Sequence, residues 1–166
     1  MRLRNNDRIN RHCSTHMGVL MKTVAMSKGT VLELGSGIFS TPLLHWLCEN
    51  NGNELITYEN HPYYLGFAQD FEDIKHKILS ISDEWDTIDF NKHYGVVFID
   101  NHPYGKRGEL AVKLKDKADF IVCHDSEKMS LYGYREAFKH FKYRFDYVKE
   151  KPFTTVLSNF IDLSNF

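Results

Sequence analysis

The sequence is short of the features that would set a protein apart from ordinary globular domains. It has three cysteines and four prolines in 166 residues, and its formal net charge is -1. The cysteines are odd in number, lie far apart and show no C-x-x-C spacing, which argues against a disulfide framework or a zinc site. The near-zero charge excludes a field that would gather polyanions. We therefore expect a cytoplasmic globular protein.

Long apolar segments are also missing. No apolar run approaches the roughly 20 residues that a membrane-spanning helix needs, and the basic N-terminus lacks the apolar stretch of a signal peptide. There is no repeat, low-complexity tract or flexible linker, so the sequence predicts a single domain over residues 1–166. Residues 1–15 are interpreted as a flexible, solvated basic extension, an RNA- or phosphate-binding arm being the alternative. Its arginines are Arg2, Arg4, Arg8 and Arg11.

What the sequence does have is an alternation of short apolar runs and helical patterns. Seven runs predict strands at 30–34, 54–58, 77–81, 94–99, 119–123, 143–147 and 154–162, and four stretches predict helices at 41–50, 61–71, 108–117 and 132–141. This alternation indicates an α/β fold with a doubly wound, Rossmann-like, mostly parallel sheet. The last two strands have no helix between them and predict a C-terminal antiparallel hairpin. The seven-stranded layout resembles that of class I S-adenosylmethionine-dependent methyltransferases.

A glycine pair stands between the first predicted strand and the first predicted helix. Glycines let the chain turn sharply and let a ligand approach the backbone, and the N–H groups of a helix start favour polar or negative ligand groups. The segment resembles the E-x-G-x-G motif of the methyltransferases, although Phe39 stands where many members have a third glycine. The resemblance implies that this loop cradles the methionine part of the cofactor, S-adenosylmethionine. It assigns cofactor-binding roles to Glu33, Gly35, Ser36, Gly37, Ser40 and Thr41.

Two further loops complete the predicted cofactor site. Glu59 ends the second predicted strand about 20 residues after the glycine loop, where a carboxylate can accept hydrogen bonds from both ribose hydroxyls. Asn60 lies beside it, and a solvated surface charge is the alternative for Glu59. After the third strand, the family resemblance implies that Asp83 takes the exocyclic amine of adenine, with Ser82 beside it and Trp85 as a stacking ring.

The fourth predicted strand ends at an acidic residue. A carboxylate there is costly unless it serves a site, so Asp100 is predicted to bind near the methionine amine of the cofactor, to orient the acceptor or to act as a base. His102 and Tyr104 are predicted to contact the acceptor. The stretch from Tyr94 to Glu127 resembles small methyltransferase-like proteins with an F-I-D-x-x-P loop and a later H-D pair. Residues 101–104 are also similar to the N-P-P-Y motif of amino-group methyltransferases, although His102 replaces a proline.

His124 and Asp125 follow the fifth predicted strand and are predicted to lie near Asp100. His124 is the predicted general base, because the ordinary pKa of histidine lies near neutrality. A magnesium site built from Asp100, Asp125 and Glu127 is an alternative, since acidic side chains from these two loops bind magnesium in metal-dependent O-methyltransferases. We favour a site without metal, in which Asp125 caps the following helix.

Together these residues predict an S-adenosylmethionine-dependent methyltransferase that acts on an oxygen or nitrogen nucleophile of an unidentified acceptor. Two alternatives stay open: a non-catalytic cofactor-binding or scaffolding domain, and a nicotinamide-dependent Rossmann oxidoreductase, which the incomplete G-x-G-x-x-G pattern disfavours. The aromatic and basic residues of 138–147 fit helical and strand periodicity better than a nucleic-acid surface. The remaining histidines share no ligand spacing and are predicted to be surface or packing residues: His12, His16, His45, His76, His93 and His140.

Overall fold

The computed structural model describes residues 11–166, so most of the predicted basic extension lies outside the described residues. The strands are β1 (Val31–Leu34), β2 (Leu55–Glu59), β3 (His76–Ser80), β4 (Tyr94–Ile99), β5 (Ala118–His124), β6 (Tyr143–Tyr147) and β7 (Thr154–Ser158). The α-helices are α1 (Met17–Met26), α2 (Ser40–Asn51), α3 (Pro62–Ala68), α4 (Lys106–Leu114) and α5 (Tyr134–Ala137). Short 3-10 turns lie at Arg11–Ser14, Gln69–Phe71, Trp85–Thr87 and Phe138–His140.

The strands form one seven-stranded sheet in the order β3-β2-β1-β4-β5-β7-β6. The first five of these are joined by parallel pairings, and β7 is antiparallel to both β5 and β6. The strand order changes direction at β1, so the tips of β1 and β4 border the crevice where ligands of such sheets bind. The predicted doubly wound sheet with its antiparallel C-terminal hairpin is confirmed.

The core follows from the residue pattern of the central strands. Every residue of β1 and β4 is buried, as expected for parallel strands covered on both faces. Alternate residues of β4 serve opposite faces: Phe98 packs in a cluster with residues of α1 and α2, and Val97 packs in a cluster with residues of α4 and α5. His124 ends β5 two residues after Val122 and thus lies on the α1 face.

The sequence pattern does not predict α1. Its N-terminus has no side-chain cap, its first turn has no acidic residue and its last turn has no basic residue, so the usual start and stop signals are missing. Its apolar residues nevertheless pack on the sheet, with Leu20 and Val24 fully buried. Among residues 11–166, no helix is both long and apolar enough to cross a bilayer.

Two predicted elements near the C-terminus are shorter than expected. The helix predicted at 132–141 is reduced to α5 and a 3-10 turn, because Gly133 takes a φ of 71° immediately before it. The strand predicted at 154–162 ends at Ser158, whose hydroxyl accepts the N–H groups of Phe160 and Ile161. Such local side-chain bonds compete with the sheet ladder and turn the chain.

Candidate functional site

The loop between β1 and α2 is held tightly against the tip of β4. Gly35 has a φ of 90°, and a Cβ atom there would lie 2.6 Å from the Cα atom of Asn101. Glycine alone tolerates both the positive φ and this close approach. At Gly37, an added Cβ atom would lie 2.9 Å from Oγ of Ser40. The backbone conformation therefore requires glycine at position 35, and this glycine allows the tips of β1 and β4 to lie in contact.

Glu33 lies beneath this loop. Its side chain is fully buried, and its carboxylate accepts hydrogen bonds from Oγ1 of Thr41 at 3.0 Å and from Oγ1 of Thr57 at 2.8 Å. The hydroxyl of Ser40 is a third donor. Burial raises the pKa of Glu33 to about 7 despite these donors. Thr41 also accepts the N–H of Gly37 at 3.0 Å, so Glu33 supports the glycine loop from inside the protein.

Glu59, at the end of β2, contacts the same loop from the other side. Its side chain is almost fully buried, and its carboxylate accepts the Ser36 N–H at 2.6 Å and the Ser36 hydroxyl at 2.9 Å. It also accepts the N–H groups of Asn60 at 2.9 Å and His61 at 2.7 Å. The Ser36 hydroxyl has a second acceptor within reach, the carbonyl oxygen of Tyr64 at 3.2 Å. It can therefore turn away from Glu59 without losing a partner.

Asn60 joins the loops that follow β2, β3 and β4. Its Nδ2 donates to Oδ1 of Asp83 at 2.5 Å and to the carbonyl oxygen of His102 at 2.9 Å. Its Oδ1 is buried and has no hydrogen-bond partner among the described residues. Ser82 and Asp83 are exposed. Trp85 is fully buried in the core and donates its Nε1–H to the His102 carbonyl at 2.8 Å, so its predicted role as a stacking ring is wrong.

Asp100, His124 and Asp125 meet at the tips of β4 and β5. Nδ1 of His124 lies 3.3 Å from Oδ2 of Asp100 as an ion pair rather than a well-directed hydrogen bond. Arg107 of α4 lies between the carboxylates, with Nη2 2.8 Å from Oδ1 of Asp100 and Nη1 3.1 Å from Oδ2 of Asp125. Asp125 has a φ of 55°, and it is the only non-glycine residue within 11–166 whose φ is positive. Such backbone strain is concentrated at functional sites.

Ionic pairing controls the protonation of this cluster. Burial lowers the pKa of His124, but the carboxylates of Asp100 and Asp125 outweigh burial and the pKa is raised. Burial raises the pKa of Asp100, but His124 and Arg107 outweigh it and the pKa is lowered. Near neutral pH Asp100 is therefore an ionised carboxylate. It can accept hydrogen bonds, but its lowered pKa makes it a weak general base.

A metal ion does not fit the cluster as it stands. Asp100, His124 and Asp125 offer one ligand atom each within 4.8 Å of one another. Arg107, however, already binds an oxygen of both carboxylates and supplies the positive charge between them. Glu127, the third predicted oxygen ligand, accepts the N–H of Phe153 at 2.8 Å instead. Octahedral magnesium needs several free oxygen ligands, and Arg107 and Phe153 occupy these.

The residues just before α1 cover His124. Oγ1 of Thr15 donates to the carbonyl oxygen of Pro152 at 2.7 Å and lies 3.3 Å from Nε2 of His124. Since its single hydrogen goes to Pro152, Thr15 must accept the Nε2–H of His124. The ring of His16 lies 4.7 Å from that of His124, and neither of its buried nitrogens has a partner among residues 11–166. Burial, together with His124, lowers the pKa of His16 to about 3, so His16 is neutral.

Aromatic rings surround Arg107 on its outer side. The guanidinium lies 4.6 Å above the ring of Tyr132, and Tyr104 lies 5.2 Å from Tyr132 with 43% of its surface exposed. His102 is also exposed, 4.8 Å from Tyr104. Asn101 is fully buried, and both polar atoms of its side chain lack a partner among the described residues. Its burial disfavours the N-P-P-Y interpretation, in which this amide would face the acceptor.

Comparison with known proteins identifies the fold. No family model matches the sequence, and no curated protein matches it either. Among solved structures, precorrin-6y C5,15-methyltransferase from Geobacter metallireducens is 15% identical with a TM-score of 0.63, covering 85% of this chain and 86% of its own. The S-adenosylhomocysteine-bound methyltransferase PaMTH1 from Podospora anserina is 11% identical with a TM-score of 0.63, covering 87% and 76%. Human methyltransferase 10 domain containing protein is 14% identical with a TM-score of 0.60, covering 88% and 81%.

The chain has the fold of class I S-adenosylmethionine-dependent methyltransferases. Within this fold, the tips of β1, β2 and β3 carry the glycine loop, Glu59, Asn60 and Asp83 on one side. The tips of β4 and β5 gather Asp100, His124 and Asp125 on the other.

Sequence reasoning missed Arg107, Thr15 and His16. Arg107 could have been predicted, because it lies in the first turn of α4, the helix that follows β4 and Asp100. The first turn of such a helix lies next to the strand tip. No local signal exists for Thr15, which contacts a residue 109 positions away. His16 was assigned to packing or surface, and it is indeed 2% exposed.

Proposed function

We propose that this chain is an S-adenosylmethionine-dependent methyltransferase. The observation that carries the proposal is the contact between the carboxylate of Glu59 and the glycine loop, with the Ser36 N–H at 2.6 Å. A carboxylate at the end of the second strand, beside a glycine turn at the point where the strand order reverses, suits a ribose. S-Adenosylmethionine is proposed over a nicotinamide cofactor because the three solved structures compared above are methyltransferases, and PaMTH1 among them is bound to S-adenosylhomocysteine.

The residues of the β1 and β2 tips fit such a cofactor. Glu59 would accept the ribose hydroxyls once the Ser36 hydroxyl turns to the Tyr64 carbonyl. The unpaired Oδ1 of Asn60 and the exposed carboxylate of Asp83 would accept the exocyclic amine of adenine. A buried polar atom without a partner is costly, and a ligand donor at Asn60 would remove that cost. Gly35, Gly37, Ser40 and Thr41 would shape the loop around the methionine part.

When bound, the cofactor supplies an electrophilic methyl group on its sulfonium. The chain then has to align a nucleophile and exclude water. Asp100 is held in place by Arg107 and His124, and 27% of its side chain is exposed. We assign it the role of accepting a hydrogen bond from the acceptor or from the methionine amine. His102 and Tyr104 are the exposed groups that would contact the acceptor, while Asp125 would hold Arg107 in position.

One observation favours a second candidate, a cofactor-binding domain without turnover. Nε2 of His124 is bound by Thr15, Nδ1 faces Asp100, and the residue is 4% exposed. The predicted base therefore has no nitrogen open to an acceptor in this state. A methyltransferase with this geometry needs an acceptor that is already nucleophilic, or a movement of Thr15. A non-catalytic domain needs neither, and would bind the cofactor without transferring the methyl group to any acceptor.

Calorimetric titration with S-adenosylhomocysteine, S-adenosylmethionine and NADH tests the proposal. We expect both sulfur cofactors to bind and NADH to give no response. Glu59→Gln removes the charge that would strengthen the ribose hydrogen bonds, so affinity should fall by roughly 10- to 100-fold. Asp70→Asn, at an exposed acidic residue of a 3-10 turn, is the matched control and should bind normally. Binding by Glu59→Gln that equals the wild type would sink the ribose assignment, and absence of wild-type binding would sink the proposed function.

A further inference from the structure

A continuous series of hydrogen bonds runs from the glycine loop into the body of the sheet. It begins at the N–H of Gly37, which donates to Oγ1 of Thr41 at 3.0 Å. Thr41, in the first turn of α2, donates to the carboxylate of Glu33 at 3.0 Å. Thr57 of β2, directly opposite Glu33 in the sheet register, donates to the same carboxylate at 2.8 Å. Glu33 is thus the junction at which the hydroxyl groups of Thr41 and Thr57 meet, together with that of Ser40.

The series continues through two histidines toward the surface. Oγ1 of Thr57 lies 2.9 Å from Nε2 of His76, and Nδ1 of His76 lies 3.2 Å from Nδ1 of His45. His76, at the start of β3, is 2% exposed, and His45 of α2 is 9% exposed. The outer end reaches a shallow surface cleft that His45 and His76 share with Glu49, Asp73 and Lys75.

When Glu33 is ionised, the direction of every hydrogen bond in the series is determined. Each threonine has one hydrogen, which goes to Glu33, so Thr57 must accept the Nε2–H of His76. Burial, together with His45, lowers the pKa of His76 to about 4, so its ring is neutral and its Nδ1 carries a lone pair. His45 must therefore donate its Nδ1–H to His76. From His45 through His76 and Thr57 to Glu33, each group therefore donates its hydrogen bond to the next group nearer the ionised carboxylate.

The ionisation of Glu33 therefore decides whether the series is intact. A protonated carboxyl would have to donate one hydrogen bond, and the hydroxyl that receives it would have to turn its own hydrogen elsewhere. Around Glu33 the charged neighbour is Glu59, whose negative charge opposes ionisation, and the titratable groups around His76 are His45 and Asp73. Oδ1 of Asp73 accepts the backbone N–H groups of Lys75 and His76 and takes no direct part in the series.

We propose that Thr57 and His76 are positioning residues for the glycine loop, acting on Gly37 through Glu33 and Thr41. The proposal rests on the proposed function for its consequence, because a loop held in this way binds the cofactor. Ser36 and Gly37 are adjacent, and their N–H groups are bound by Glu59 and by Thr41. The loop conformation is thereby set from both sides, directly by Glu59 and indirectly by the buried series.

The test uses the amide resonance of Gly37 in the ligand-free protein, followed by nuclear magnetic resonance between pH 6 and 9. In the wild type the resonance should titrate with a midpoint near neutrality. Thr57→Val removes one donor to Glu33 while keeping the side-chain shape, so the midpoint should rise by about one pH unit. Gly37 should also exchange its amide hydrogen faster. Thr57→Ser should restore both readouts, and Thr23→Val, at a buried threonine of α1, should change neither.

Cofactor affinity gives a second readout. We expect Thr57→Val to bind S-adenosylhomocysteine roughly tenfold more weakly at pH 7, the loss expected from one hydrogen bond to a charged group. A Gly37 resonance and exchange rate that Thr57→Val leaves unchanged would overturn the positioning role, even if the melting temperature fell. If the wild type binds no cofactor, the proposed function fails, and the Gly37 titration still decides whether the buried series controls the loop.

Discussion

The two ends of the candidate site stabilise buried carboxylates in different ways. On the side proposed for the cofactor, Glu33 and Glu59 are surrounded by hydroxyl and backbone N–H donors, and the hydrogen bonds to them include none from a lysine or arginine within residues 11–166. On the side proposed for the acceptor, Asp100 and Asp125 share the guanidinium of Arg107, with His124 beside them. Hydrogen bonds hold the first pair of carboxylates, and ion pairs hold the second.

This difference reverses the response to pH. Burial raises the pKa of Glu33 to about 7, so Glu33 stabilises the folded state in acid and this contribution is lost as the pH rises from 4.5 to about 7. The pKa of Asp100 is lowered by His124 and Arg107 against the effect of burial. Its contribution is present at neutral pH and is lost in acid. The side proposed for the cofactor therefore contains a carboxyl group that changes its protonation near neutral pH, whereas Asp100 on the other side stays ionised there.

The largest expected effect comes from removing the shared cation. Arg107→Met leaves Asp100 and Asp125 as neighbouring, partly buried carboxylates with only His124 as an ionic partner, which should reduce the free energy of unfolding by about 3–5 kcal/mol. Chemical denaturation at pH 7 measures this change.

Arg144→Met is the matched control for Arg107→Met. Arg144 pairs with Asp146 at an exposed position, so its loss should cost about 0–1 kcal/mol. Adding Asp125→Asn to Arg107→Met should recover part of the stability, because it removes one of the two neighbouring negative charges. Equal losses for the two arginine variants would contradict the ion-pair account of the acceptor side.

A smaller effect is expected at Glu33. Glu33→Gln cannot ionise, so its free energy of unfolding relative to the wild type should improve by about 3 kcal/mol between pH 4.5 and pH 8. Denaturation curves across that range give the difference directly. Glu84→Gln, at an exposed residue, should follow the wild type at every pH. A parallel pH profile for Glu33→Gln and the wild type would show that burial does not raise the pKa of Glu33.

The sequence predicts the elements that depend on local patterns, but it does not predict contacts between distant residues. Period-two and apolar patterns predicted all seven strands, and the glycines placed a tight loop after the first of them. Both are local signals. Arg107 binds Asp125 across 18 positions and Thr15 contacts His124 across 109, so their partners depend on the assembled sheet. The burial of Trp85 could not be predicted either, since a tryptophan that follows a strand can pack in the core or stack on a ligand.

The smallest expected effect concerns Ser36. Its hydroxyl occupies an acceptor site of Glu59 that a ribose would need, and Ser36→Ala removes this competition. Affinity for S-adenosylhomocysteine should rise by a factor of a few, equivalent to about 1 kcal/mol or less. Calorimetry at pH 7.5 measures it, with Ser164→Ala as a control at an exposed serine outside the candidate site. A tenfold loss of affinity would mean that the Ser36 hydroxyl binds the cofactor directly.

The central claim is that the β1 and β2 tips form an S-adenosylmethionine site, and a crystal structure with S-adenosylhomocysteine tests it most directly. The account predicts the ribose hydroxyls at the carboxylate of Glu59, the Ser36 hydroxyl turned toward the Tyr64 carbonyl, and a donor of the adenine at Oδ1 of Asn60. A ligand bound elsewhere, with Glu59 still holding all four of its present donors, would contradict it.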